Sequence, residues 1–150
     1  MLNTPMETKH RLLLLLATVP VGEYAQPWIS AIDFMSIYGV TFGVADQNLH
    51  GDSWMRFTEY ATRFWSIRAA LHELVLNGWA AATPTHKGFS YRITEEGIAI
   101  AREFSTSYVP LYRQNVTACY ERYGRQSSEE LDALIRSAAL NSMEQEDVHG

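Results

Sequence analysis

Apolar residues recur along this chain mostly at steps of three and four, the spacing of a helix with one buried face. Residues 8–18, which include the run Leu12–Leu16, predict a first helix that Pro20 and Gly22 stop. Gln26-Pro27-Trp28 opens a second helix near Ile29–Tyr38, with Ile29, Ile32, Phe34, Met35 and Ile37 on its apolar face and Gly39 at its end. The stretch GVTFGVADQNLHGDS, residues 39–53, has the glycines and Asx residues of a loop of functional length.

A third helix carries two stripes. Phe57, Tyr60, Phe64, Ile67, Leu71 and Leu74 form a continuous inward row, which predicts a core face. Trp54, Ala61, Trp65, Arg68, His72 and Leu76 lie on another side, where a free monomer ordinarily places charge. Two readings of that side stand next to each other. It is buried under the long loop or the C-terminal helices, or it is a partner surface, since Trp and Arg are enriched at the energetic centres of interfaces.

After Gly78, the residues Trp79–Thr83 and Phe89–Thr94 predict two strands joined by the five residues 84–88. Thr94 caps the next helix, and Glu95 and Glu96 suit its positive end. The pattern Phe104, Tyr108, Leu111, Val116, Tyr120, Tyr123 continues to Gly124, with Pro110 expected to kink or split it. Ser127–Leu140 predicts a last helix capped by Ser127 or Ser128, and residues 141–150 read as a disordered tail. The fold class is therefore mainly α with some β. A winged-helix core over residues 1–97 bears a short hairpin wing and is extended by helices over 98–140.

With 150 residues and 47% apolar content, the chain supports one folded unit. The lone Cys119 excludes an internal disulfide and gives no sign of an oxidising compartment, which favours a cytoplasmic protein. Lys9, His10 and Arg11 before LLLLLATVPVG have the form of a secretory signal, but Glu7 interrupts the charged part and the run fits a first core helix equally well. No run reaches the roughly 18 apolar residues of a membrane span.

The net charge of −5 is unevenly spread. Glu129, Glu130, Asp132, Glu144, Glu146 and Asp147 face only Arg136, so the acidity belongs to the tail. In residues 54–93, Arg56, Arg63, Arg68, Lys87 and Arg92 outnumber Glu59 and Glu73, a weakly basic balance far from a dedicated DNA binder.

The histidines (10, 50, 72, 86 and 149) are too scattered for a zinc site, and no phosphate loop or nucleophile elbow is written in the chain. Cys119 lies among apolar and aromatic helix residues and reads as a buried, inert thiol. His50, in NLHG, has no nucleophile beside it and reads as a loop-fixing residue. The expectation is a non-enzyme with no cofactor and no metal.

A winged helix that reads DNA presents basic or hydroxyl side chains on its third helix and wing. Here Arg56, Arg63, Ser66, Arg68 and Lys87 are the candidates. So few phosphate contacts give salt-sensitive, non-specific binding. Trp54, Phe57, Phe64 and Trp65 stand among these arginines and favour a protein partner, leaving a dimeric DNA-binding regulator as the alternative.

The segments HRLLLLL, IDFMSIYG, NLHG, LHELVLNGW and GFSYRITEEG, in that order over about residues 10–110, resemble the middle component of bacterial ABC-three-component defence systems, the group that includes the small subunit of Lamassu. The chain departs from the family pattern in ending its loop with Asn48-Leu49-His50-Gly51 and in having a single Arg63 followed by Phe64. The resemblance implies a non-catalytic bridging subunit between a large ATPase similar to SMC and Rad50 proteins and an effector, often a nuclease. DNA is then met through the complex. On that reading Trp54, Arg56, Trp65, Arg68 and His72 form the docking face, and Asn48, Leu49 and His50 a second contact.

Overall fold

A computed structural model describes residues 5–46, 49 and 60–149 of the chain. It is mostly helical with one small antiparallel sheet. In order, the elements are α1 (Pro5–Thr18), β1 (Tyr24–Ala25), α2 (Gln26–Ile37), α3 (Phe64–Leu76), β2 (Ala80–Thr85), β3 (Gly88–Ile93), α4 (Glu95–Arg102), α5 (Tyr108–Tyr123) and α6 (Ser128–His149).

Five consecutive leucines cannot share one face of a helix, so α1 must be covered on all sides. Leu12–Leu16 are all buried, and α2, α3, α4 and α5 pack around them. Pro27 sits in the first turn of α2, where its missing N–H costs nothing, and the helix buries most of its length from Trp28 onward. Trp28 stacks on Tyr24 of β1 at 4.4 Å and donates its indole N–H to the Gly124 carbonyl at 3.2 Å. The periodicity did not disclose β1, which has only two residues and exists through its pairing with β3.

Helix α3 buries Ile67, Leu71 and Leu74, as the inward stripe predicts, and Ala70 beside them. Phe64 departs from that stripe: it is the first residue of α3, directly after the turn at Arg63, and is 45% exposed. The helix ends in a Schellman arrangement. Gly78, at φ +80°, donates its N–H to the Val75 carbonyl at 3.0 Å, and Trp79 donates to Leu74 at 2.9 Å. This reversal sends the chain straight into β2.

The sheet order is β1-β3-β2, with Ala82 opposite Tyr91 and Pro84 opposite Phe89. The strands run further toward the turn than the sequence predicts and stop one residue short at the base, so only His86 and Lys87 form the turn, in place of a five-residue loop. Pro84 is tolerated because β2 lies at the sheet edge, where no partner strand asks for its N–H.

Thr94 caps α4 by accepting from the Gly97 N–H at 3.0 Å. Gly97 packs so closely that a Cβ there would lie 2.1 Å from the Trp79 carbonyl oxygen, which is itself held by the Thr94 N–H at 3.0 Å. Gly97→Ala should therefore destabilise the fold by roughly 1–3 kcal/mol. Urea denaturation checks this, and an unchanged midpoint would mean that the hairpin base yields.

The apolar pattern after α4 predicted a helix disturbed at Pro110; the break instead falls at residues 103–107, and Pro110 lies harmlessly in the first turn of α5. Tyr112, Asn115, Val116 and Cys119 face the core, while Leu111 is exposed. Ser127 caps α6 reciprocally with Glu130: the Glu130 N–H donates to Ser127 Oγ at 3.1 Å, and the Ser127 N–H to the Glu130 carboxylate at 3.0 Å. The helix continues to His149, beyond the Leu140 at which the sequence reading ended it. Residues 141–149 contain no Gly or Pro to stop it.

Candidate functional site

The outer side of α3 is where the second predicted stripe lies bare. Trp65 is 68% exposed, Leu76 is 85% exposed, and Arg68 and His72 between them are exposed as well. The Arg68 guanidinium stands 5.5 Å from the centre of the Trp65 ring, which holds the indole outward. Phe64 meets Trp65 edge-on at 5.2 Å. Among the two readings of this stripe, burial within the chain does not describe Trp65 or Leu76.

The hairpin continues the surface. Residues 80, 82 and 84 of β2 and 89, 91 and 93 of β3 share one sheet face. Ala80 and Ile93 reach the core, Tyr91 is buried, and Phe89 at the outer end is 46% exposed. The core face of the sheet thus overhangs the core by one rung. Between that overhang and the end of α3 runs a shallow groove of about 290 Å³ lined by His72, Val75, Leu76, Ala82, Phe89 and Tyr91. Of these, only His72 belongs to the docking residues named from sequence. Phe89 could have been found from its alternation with Tyr91 and Ile93, which marks it as a core-facing position that outruns its cover.

The other predicted residues are placed as follows. Trp54, Arg56, Asn48 and His50 lie outside the described residues. Leu49 is half-buried against the core, and its N–H donates to the Ile37 carbonyl at 2.9 Å. Lys87 is exposed at the hairpin turn, its ammonium 3.9 Å from Glu129. Arg63, expected on the DNA-facing side, is half-buried and its charge acts on Asp33 in the interior.

That interior cluster is the strongest electrostatic feature of the described residues, and the sequence reading missed it. Arg11 of α1 donates to both carboxylate oxygens of Asp33 in α2, at 2.7 and 3.1 Å, and Tyr112 of α5 donates to Asp33 at 2.7 Å. All three are buried. Burial alone would raise the Asp33 pKa; the charge and hydrogen bonds of Arg11, the Tyr112 bond and the Arg63 charge outweigh it and hold the carboxyl below its ordinary value. The cluster bolts three helices together with fixed geometry. A cavity of about 560 Å³ beside it, between α1 and the α4–α5 connection, is lined by Glu7, His10, Arg11, Phe104 and Tyr108 among others. Its Arg11 is committed to Asp33, and its His10 lies against Phe104 at 4.7 Å, with burial and then Lys9 lowering the imidazole pKa.

Cys119 is buried in α5, and burial pushes its thiol up to about 12 against a smaller opposite contribution from Ser36. Its thiolate is negligible at neutral pH. We expect no reaction with a thiol reagent at pH 8 in the native protein and full reaction after unfolding; rapid native modification would contradict the packing. Among the described residues, no three His, Cys, Asp or Glu are grouped to hold a metal ion, and no helix is long and apolar enough to cross a membrane.

A family model described as ABC-three component (ABC-3C) system Middle Component 2 matches residues 1–145. No curated protein and no solved structure matches the chain.

Proposed function

Because the chain belongs to the ABC-three-component (ABC-3C) Middle Component 2 family, we propose that it is a non-catalytic bridging subunit that docks an SMC/Rad50-like ATPase to an effector, often a nuclease, in an anti-phage complex of the Lamassu kind. Membership in a three-component system already implies companion subunits. The observation that carries the bridging reading is the bare stripe Trp65, Arg68, His72, Leu76 on α3. A helix face with two large apolar side chains in water is costly for a lone molecule and ordinary for a subunit. The sequence reading also assigns Trp54 and Arg56 to this face; both lie outside the described residues.

We take the core as a winged helix. The order helix, strand, helix, helix, strand, strand, with the first strand paired to the last, supports this. In such a fold α3 and the hairpin are the elements that meet DNA. Here Arg68 and Lys87 are exposed, but the groove between helix and hairpin is apolar, and a phosphate there would lose water without a charged partner in the floor. Protein docking is therefore preferred to a dimeric DNA-binding regulator, with DNA met through the complex in the cytoplasm.

The test is a three-way co-purification of the tagged effector with the ATPase. The ATPase should be recovered only when this chain is co-expressed. Equal recovery in its absence would remove the bridging role, and salt-sensitive DNA binding by the isolated chain would favour the regulator.

A further inference from the structure

We propose that the groove between α3 and the hairpin receives an acidic amphipathic helix from a companion subunit. The inference rests on the docking reading and adds the chemistry of what docks. Three observations select that occupant.

The first is charge. Of the basic residues over 61–93, Arg68 on α3 and Lys87 at the hairpin turn are exposed, whereas Arg63 acts on Asp33 in the interior and Arg92 lies on the opposite sheet face; Glu73 is the single acid of that stretch. Glu73 is turned toward α1, with its carboxylate 3.9 Å from the Lys9 ammonium. The groove lining holds no carboxylate at all. Arg68 borders it, close enough to the Tyr91 hydroxyl for its charge to work against the effect of burial there. A partner helix with carboxylates flanking its apolar row meets a complementary potential, and a basic one is repelled.

The second is shape. Of the two edge strands, β1 has only two residues, and β2 is interrupted by Pro84, which has no N–H to give an added strand. The opening that remains lies between a helix face and a sheet face, where Leu76 and Phe89 offer apolar walls to side chains spaced three and four apart.

The third concerns the acids at the far end of α6, Glu144, Glu146 and Asp147, which have the right charge and cannot reach. Glu129 lies 3.9 Å from Lys87 at the hairpin turn, and from there α6 runs as one helix of 22 residues. At about 1.5 Å per residue its far end stands roughly 30 Å from the hairpin, so a molecule cannot fill its own groove with that end.

The experiment places a benzophenone amino acid at the highly exposed position 76 in the chain assembled with its companion subunits, irradiates, and identifies the cross-linked peptide by mass spectrometry. The expected product is a companion-subunit peptide with more Asp and Glu than Lys and Arg and apolar residues at helical spacing. A basic or neutral peptide, DNA, a second copy of this chain, or no product from an intact complex each overturns the proposal. In parallel, Arg68→Glu should weaken subunit capture by on the order of tenfold at low salt while Arg68→Lys retains it. If Trp65→Ala abolishes capture and Arg68→Glu leaves it unchanged, docking at this face stands and the acidic occupant fails. If Trp65→Ala retains every subunit, the docking reading itself fails.

Discussion

Asp33→Ala is expected to destabilise the fold by roughly 3–5 kcal/mol, because it leaves the Arg11 guanidinium buried without its counter-charge. Tyr112 loses its acceptor in the same step, since its hydroxyl donates to Asp33 at 2.7 Å. For a domain of this size such a loss is a large fraction of the total stability. The double replacement Arg11→Met with Asp33→Leu should recover much of it, as an apolar pair of similar bulk needs no partner. Urea denaturation of the single and double variants measures both effects. The pH dependence gives an independent readout. The folded-state pKa of Asp33 is depressed, so its contribution is complete above the unfolded value of about 4 and is lost as the pH falls through that value toward the folded one. Asp33→Ala should therefore have a flatter acid limb than the parent.

Trp65→Ala should weaken capture of the companion subunits by about 2 kcal/mol or more, roughly thirtyfold, with the fold unchanged. The two effects separate because Trp65 is 68% exposed and makes its ring contacts with Phe64 and Arg68, on the surface of α3. Circular dichroism and the urea midpoint should match the parent while binding, read by titration of the purified companion subunits, falls. Loss of both together would mean that the indole supports the fold.

Much of this was legible in the chain because it is local. The leucine run, the Pro27 entry, the Gly78 stop, the Thr94 cap and the Ser127 cap each act within a turn or two of themselves. The bare stripe on α3 was legible for the same reason, since helical phase alone separates Trp65, Arg68, His72 and Leu76 from Ile67, Leu71 and Leu74. What escaped depends on distant parts of the chain. Arg11 and Asp33 sit inside HRLLLLL and IDFMSIYG, each a lone charge in an apolar segment, and that anomaly was the available signal. Nothing local says that they meet across 22 positions. Phe64 keeps the helical spacing to Ile67 and Leu71, yet as the first residue of α3 it is 45% exposed, which periodicity alone does not tell. The groove escaped because Phe89 is a correctly patterned strand residue whose exposure follows from where α3 stops. The continuation of α6 to His149 was not legible because the polar composition of residues 141–149 matches that of a disordered tail, although no Gly or Pro interrupts the helix.

The central claim is that the outer face of α3 is covered once the complex forms. Hydroxyl-radical footprinting of the free chain and of the assembled complex measures this at the residues concerned. Trp65 and Leu76, 68% and 85% exposed in the free chain, should oxidise readily alone and fall to near background in the complex. Equal oxidation of both residues in the two states would contradict the account.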